Sequence, residues 1–301
     1  MKHGFLILLH NNYKQVRKLI GLLDNKNSYI FLHIDKKSSL SDKDVAEFIN
    51  AAHFAHIIFV DRVSVQWGGY SQVQATLNLL KKADEYDLDY YHIISGADLP
   101  LKSWKMLDDY FEKHKDAQFV SYVPEEYQQS LQKRVKYYWF FQEKIGNPKR
   151  AIHHKDYYRI FLLAIQRTLV FVQKALGVDR RKKNAGVSFR MGSNWISITK
   201  EFLSYAVEKE EWIKETFKDT LCPDEVFMTT LLSNSRFSDK VQENQRYIDW
   251  GRGNPYVFRE VDYNELLVCE KVFARKFDET VDPQIVDKIY TSIHNLNMTE
   301  G

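Results

Sequence analysis

Cysteine is nearly absent. The 301 residues hold two, Cys222 and Cys269, too few for a disulfide framework or a metal quartet. That scarcity fits a reducing compartment, so a cytoplasmic protein is expected. Long apolar runs are also missing, and none reaches the ~18 residues that a membrane-spanning helix needs. The N-terminal run Phe5-Leu6-Ile7-Leu8-Leu9 lacks the length and small-residue cleavage site of a signal peptide; it reads as a first buried strand. Neither sign of charge dominates. Lys and Arg number 43 against 40 Asp and Glu, leaving +3, which excludes a general polyanion binder and argues against a nucleic-acid partner. No Gly-x-Gly-x-x-Gly follows the first strand, and no Gly-Lys-Ser/Thr loop occurs. Dinucleotide dehydrogenases and P-loop enzymes are thereby disfavoured. There is no internal repeat or low-complexity tract.

What is present is an ordinary globular composition, 44% hydrophobic and 28% charged, in a chain long enough to bury a full core. Phe5 to Leu9 reads as a strand and Tyr13 to Leu23 as a helix. Tyr29 to Ile34 is a second apolar strand, ending at Asp35-Lys36-Lys37-Ser38. A helix near Asp42 to Ala52, a strand from Ala55 to Val60 and a helix from Ser71 to Ala83 follow. Tyr90 to Ser95 is another buried strand, ending at Gly96-Ala97-Asp98-Leu99-Pro100. Such alternation predicts an α/β fold with a mostly parallel central sheet and helices on both faces. Ligands of such sheets bind at the carboxyl ends of the strands, where Asp35 and Asp98 fall. His92, inside a strand, reads as a satisfied core residue. Asp98 also fits a cap for the helix after Pro100.

The stretch from Lys133 to Lys183 changes character. It is basic and aromatic, with Lys149, Arg150, His153, His154 and Lys155 ahead of an amphipathic helix from Tyr157 to Leu176, and it ends in Arg180-Arg181-Lys182-Lys183. Gln166 and Arg167 exclude a bilayer span. A basic amphipathic helix suits an anionic membrane surface; it equally suits a helix packed on the core with a solvated basic face. The chain is read as one domain over residues 1–301 with this insertion at about 130–185.

Leu221-Cys222-Pro223-Asp224-Glu225 leads into a helix read from Pro223 to Leu232. Proline suits the first helical position, and a carboxylate just after it sits at the positive helix end, which favours ionisation. Glu225 there can serve as a general base. Taken alone, these residues fit helix capping better than catalysis.

Six blocks together resemble the core-2/I-branching β-1,6-N-acetylglucosaminyltransferase and peptide O-xylosyltransferase family, glycosyltransferase family 14. They are Leu32-His33-Ile34-Asp35-Lys36-Lys37-Ser38; Trp67-Gly68-Gly69-Tyr70-Ser71-Gln72-Val73-Gln74-Ala75; Ile94-Ser95-Gly96-Ala97-Asp98-Leu99-Pro100-Leu101-Lys102; Gly192-Ser193-Asn194-Trp195; Cys222-Pro223-Asp224-Glu225; and Phe273-Ala274-Arg275-Lys276-Phe277-Asp278. The order is the family's own, and the likeness runs from Phe5 to about Asp278.

The resemblance implies a GT-A-type fold and inverting transfer from a UDP-sugar, most often UDP-N-acetylglucosamine, with UDP-xylose as the nearest rival. It places Glu225 as the base and Asp35 on the uracil or ribose, with His33, Lys36 and Trp67 nearby. Asp98 is placed on the floor of the sugar site, and Trp195 with Asp224 on the acceptor side. The family is unusual in needing no metal, and a single carboxylate, Asp98, stands where an Asp-x-Asp pair is usual. No cofactor is expected, and fixed cations must stabilise the leaving UDP. Lys276 matches the family's diphosphate lysine; its partner is read as Arg252, with Arg246 and Arg259 as alternatives. Animal relatives carry a membrane anchor, a stem and many disulfides. This chain looks like a bacterial, cytoplasmic member acting on a glycan or lipid-linked glycan, with its basic segment against an anionic inner membrane.

Overall fold

The computed structural model describes residues 1–147 and 156–300. Lys149, Arg150, His153, His154 and Lys155 of the basic stretch lie outside the described residues. In the first half, β1 (His3–Leu9), α1 (Tyr13–Leu22), β2 (Ser28–Ile34), α2 (Asp42–Asn50), β3 (His56–Phe59), α3 (Tyr70–Asp84) and β4 (Tyr90–Ser95) alternate as the pattern predicts. Then come β5 (Asp98–Pro100), α4 (Trp104–Lys113) and β6 (Gln118–Phe119). The basic segment supplies α5 (Gln129–Lys136), α6 (Gln142–Ile145) and α7 (Tyr157–Ala175). The chain continues with β7 (Ser197–Thr199), α8 (Lys200–Glu208), α9 (Glu210–Phe217), α10 (Phe227–Ser233), β8 (Val241–Gln242), β9 (Arg246–Ile248), α11 (Tyr263–Val268), β10 (Phe273–Arg275) and α12 (Pro283–Glu300).

The main sheet runs β3-β2-β1-β4-β7-β6-β8. Its first four strands are parallel, while β7 is antiparallel to both β4 and β6. Both faces of the parallel part are covered, which is why these strands read as nearly unbroken apolar runs. Phe5, Ile7, Ile30, Leu32 and Ile94 pack with α1, α4 and α12 on one face. Leu6, Phe31, Tyr91 and Ile93 pack with α3, α8 and α10 on the other. A second sheet, β5-β10-β9, sits at the carboxyl end of β4. There Arg275 lies directly across from Asp98.

His92 is a core residue, as read. Its ring nitrogens meet His3 at 3.0 Å and Ser197 Oγ at 2.7 Å, and burial lowers both imidazole pKa values. Asp98 caps nothing: Ser103 caps α4, its Oγ accepting from the Met106 N–H. The helix read from Pro223 to Leu232 is broken. Pro223–Glu225 form one 3-10 turn, and α10 starts only at Phe227. Asp224 and Glu225 therefore do not sit at the positive end of a long helix.

Gly192 fixes the loop that enters β7. A Cβ there would stand 2.2 Å from the Ser121 carbonyl oxygen and 2.7 Å from Thr229 Cγ2. Gly192→Ala should cost about 1–3 kcal/mol by overpacking, lowering Tm by several degrees. Gly251→Ala, whose Cβ meets only Asp249 Oδ1 at 3.5 Å, should leave Tm nearly unchanged. Equal Tm values for the two variants would contradict this account of Gly192.

Candidate active site

The turn after β2 is held from below. Arg62 donates to the carbonyls of Ile34, Asp35 and Ser38. His33 is buried, and its Nε2 accepts the Val63 N–H at 3.0 Å, which ties the end of β2 to the loop after β3. Asp35 Oδ1 accepts the N–H groups of Lys37 and Val65 at 2.9 and 3.3 Å. Lys36 is exposed. Trp67 is half-exposed, and its carbonyl accepts Gln142 Nε2 at 3.0 Å. His10, at the end of β1, shows how charge converges here. Partial burial lowers its pKa; Asp35 opposes that shift, while Lys276, Lys37 and Arg275 reinforce it.

Asp98 is fully buried. Its Oδ2 accepts Ser95 N–H at 2.6 Å and pairs with Arg275 at 3.1 Å, and its Oδ1 has no partner among the described residues. The Arg275 guanidinium stacks 4.3 Å from the Trp195 ring, so one arginine joins the Asp98 carboxylate to the indole. Lys276 follows it, half-buried, with no carboxylate in ion-pair range among the described residues.

The Trp67-Gly68-Gly69 and Cys222-Pro223-Asp224-Glu225 blocks form a clasp. Cys222 N–H donates to the Gly68 carbonyl at 2.9 Å. Both residues have positive φ, 71° at Gly68 and 49° at Cys222. A Cβ on Gly68 would lie 3.2 Å from Cys222 Sγ, and one on Gly69 would lie 2.4 Å from Glu143 Oε1. That tight approach explains the paired glycines. Glu143 in turn accepts Ser71 N–H at 2.7 Å, at the start of α3.

The clasp turns its two carboxyls in different directions. Asp224 faces inward; its Oδ2 accepts Gln72 Nε2 at 3.1 Å and Asn194 Nδ2 at 3.2 Å, and its Oδ1 is buried without a partner. Burial first, and the neighbouring Glu225 charge second, push its pKa up to about 7, the reverse of what a helix start predicts. Glu225 faces outward, its side chain 45% exposed, and pairs with Arg134 Nη1 at 2.5 Å. Burial works against the Arg134 charge, but Glu225 outweighs it and holds the guanidinium pKa up. A run of neighbours links Lys276, Arg275, Trp195, Asn194, Asp224 and Glu225.

The three arginines considered for the diphosphate already have protein partners. Arg252 forms ion pairs with Asp249, Asp262 and Glu265 and stacks on Tyr256. Arg246 is buried, donating to Ser197 Oγ at 2.6 Å and the Ile196 carbonyl at 2.7 Å; burial lowers its pKa to about 9. Arg259 donates to the Val281 carbonyl. The cations in contact with the cluster are Arg275, on Trp195, and Arg134, on Glu225, while Lys37 lies 3.8 Å from Asp35 Oδ2. Alternation along β10 and adjacency to Lys276 could have pointed to Arg275. Nothing local points from Arg134 to a carboxylate 91 positions away. Among the described residues no group of three His, Cys, Asp or Glu could hold a metal ion.

A family model described as Core-2/I-Branching enzyme matches residues 4–266. A xylosyltransferase of Caenorhabditis briggsae is 22% identical over 314 residues, covering 94% of this chain and 36% of the relative. Xylosyltransferase 2 of Rattus norvegicus is 21% identical over 312 residues, covering 94% of this chain and 33% of the relative. The chain thus spans about a third of the length of the curated relatives it matches. Among solved structures, apo mouse xyloside xylosyltransferase 1 gives a TM-score of 0.39 at 11% identity, covering 91% of this chain and 96% of that one. S. aureus TarS 1-349 gives 0.40 at 12%, covering 100% and 74%. Both structural likenesses are loose.

A raised folded-state pKa stabilises fully below the unfolded value of 3.8, and the contribution is lost as pH rises through about 7. Asparagine keeps an acceptor for Gln72 and Asn194 and removes the buried charge. Asp224→Asn should therefore raise Tm over the parent above pH 7, with the advantage fading toward pH 3.8. A pH-independent difference in thermal melts would contradict this reading of Asp224.

Proposed function

The chain belongs to the Core-2/I-Branching enzyme family, and from that premise we propose that it transfers a sugar from a UDP-sugar to a hydroxyl of a glycan, with inversion. One observation carries the proposal. An outward-facing carboxylate, Glu225, and an ammonium without a carboxylate partner among the described residues, Lys276, stand at the two ends of one connected cluster. In-line transfer needs those two groups: a base on the acceptor side and positive charge at the departing diphosphate.

In the proposed reaction Glu225 takes the proton of the acceptor hydroxyl as that oxygen bonds to the anomeric carbon. The bond from that carbon to the UDP oxygen breaks, its electron pair leaving with UDP. Lys276 receives the new charge, with Arg275 and Lys37 adding to the local field. Arg134, paired with the Glu225 carboxylate, orients it. Asp35 takes the uracil or ribose, with Lys36 and Trp67 at the rim. Asp98 accepts a sugar hydroxyl through Oδ1; support for that choice is that this oxygen is buried without a partner among the described residues, and a buried acceptor gains most from a donor. Asp224, coupled to Glu225, and Trp195 shape the acceptor side. No metal is assigned. Support for that choice is that Asp98 Oδ2 is already held by Arg275 and Ser95.

The family resemblance favours N-acetylglucosamine as the donor sugar. The relatives' name favours xylose as the second reading. One substituent discriminates by only about 1–3 kcal/mol in a pocket, so both donors must be tried. We place the acceptor on a glycan or on a lipid-linked glycan at the cytoplasmic face of a membrane. Among the described residues no helix is long and apolar enough to cross one.

UDP release should be measured for wild type and Glu225→Gln across a panel of UDP-sugars including both donors. The expected result is release with one donor that drops at least about a hundredfold in the variant. Full activity in Glu225→Gln would remove the base assignment. UDP binding without release from any donor, with candidate glycan acceptors present, would favour a non-catalytic nucleotide-sugar-binding protein.

A further inference from the structure

Helix α7 is built inside out. It turns Leu162, Gln166 and Gln173 inward. The two glutamines hold the backbone of the preceding loop. Gln166 Oε1 accepts the Phe141 N–H at 2.9 Å. Gln173 accepts the Tyr138 N–H at 2.8 Å and donates to the Tyr138 carbonyl at 3.1 Å. On the opposite side Tyr157, Phe161, Ala164, Thr168 and Phe171 recur in steps of four and three, which makes one stripe. Tyr157 is 73% exposed, Phe161 60% and Phe171 69%. Ile160 and Val172 flank the stripe, both exposed. No described residue covers it. A helix of a water-soluble protein buries such a face.

Charge indicates what covers the stripe. Helix α7 has no acidic residue, and Arg167 and Lys174, both exposed, lie along one shoulder. Residues 130–185 hold fourteen Lys or Arg against three Asp or Glu. That segment is +11 in a chain of net +3, so the remainder is −8. A second copy docking by the same face would bring two such segments together, which like-charge repulsion opposes. An anionic lipid surface offers the complement: negative headgroups for the shoulder and acyl chains for Phe161 and Phe171. We propose that α7 lies in the headgroup region of an anionic bilayer, with the Tyr157–Phe171 stripe inward and Arg167 and Lys174 at the phosphates.

The consequence for the candidate active site is orientation. Helix α7 packs on α6, whose Gln142 reaches the Trp67 carbonyl and whose Glu143 holds the start of α3 beside the clasp. Docking would bring the rim at Trp67 close to the membrane. The Arg180-Arg181-Lys182-Lys183 cluster contributes less than its charge suggests. Arg180 is buried against Thr216 and Thr220, and Arg181 is paired with Asp179. The inference rests on the proposed function only for its purpose, since vesicle binding needs no sugar transfer.

The test is co-sedimentation of the full chain, without nucleotide, with phosphatidylcholine vesicles made with and without phosphatidylglycerol. Wild type should pellet only with the anionic vesicles. Phe161→Ser/Phe171→Ser should weaken that binding at least about tenfold, and Arg167→Gln/Lys174→Gln about fivefold per charge removed. Unchanged thermal melts confirm that these surface variants fold. UDP binding by calorimetry should be unaltered in both, which separates failure of docking from failure of the transferase reading. Absence of wild-type binding, equal binding to neutral vesicles, or variants that bind like wild type would each overturn the proposal. So would a dimer by light scattering that Phe161→Ser/Phe171→Ser dissociates.

Discussion

The ion pair between Asp98 and Arg275 is the joint on which the site depends. It spans β5 and β10 in direct register, so it ties the small sheet to the carboxyl end of β4. A carboxylate this buried needs its cation, because breaking a buried pair typically costs about 3–5 kcal/mol. The same guanidinium lies over Trp195, which brings the loop before β7 to that point. Lys276 inherits its place from being next in the chain. The carboxylate after β4 thus organises protein cations, which the proposed function assigns to the diphosphate.

A second constraint works at the other end of the cluster. The clasp between Gly68 and Cys222 puts positive φ at both residues, and the chain leaves it in a single 3-10 turn. A short turn points successive side chains in different directions, so Asp224 goes inward and Glu225 outward. Burial makes the first a weak acid, while the second lies open to solvent beside Arg134, where the proposed function needs its base. Two adjacent carboxyls thus acquire different chemistry from environment alone.

Much of this was legible in the sequence because it is local. Strands β1, β2 and β4 are apolar runs buried on both faces, and their ends placed Asp35 and Asp98 in one region. The two- and three-residue strands β6 to β10 carry too little pattern to be read. The break after Glu225 was missed because proline, two carboxylates and an apolar run match a helix start; the tertiary clasp overrides that local preference. Nothing local to Arg252 shows that its side chain is engaged by three carboxylates. Arg275 and Arg134 escaped because their partners lie far off in sequence. On α7 the aromatic stripe and the glutamines were visible, but which of them faced inward was not, since both sides repeat with helical spacing.

The central claim, that fixed protein cations hold the nucleotide diphosphate, is most directly tested by calorimetry of UDP binding to wild type and Lys276→Met, each with EDTA and with added Mn²⁺. The account predicts wild-type affinity that EDTA leaves unchanged and a loss of at least about tenfold in Lys276→Met. Binding that appears only with Mn²⁺, vanishes in EDTA and is indifferent to Lys276 would contradict it.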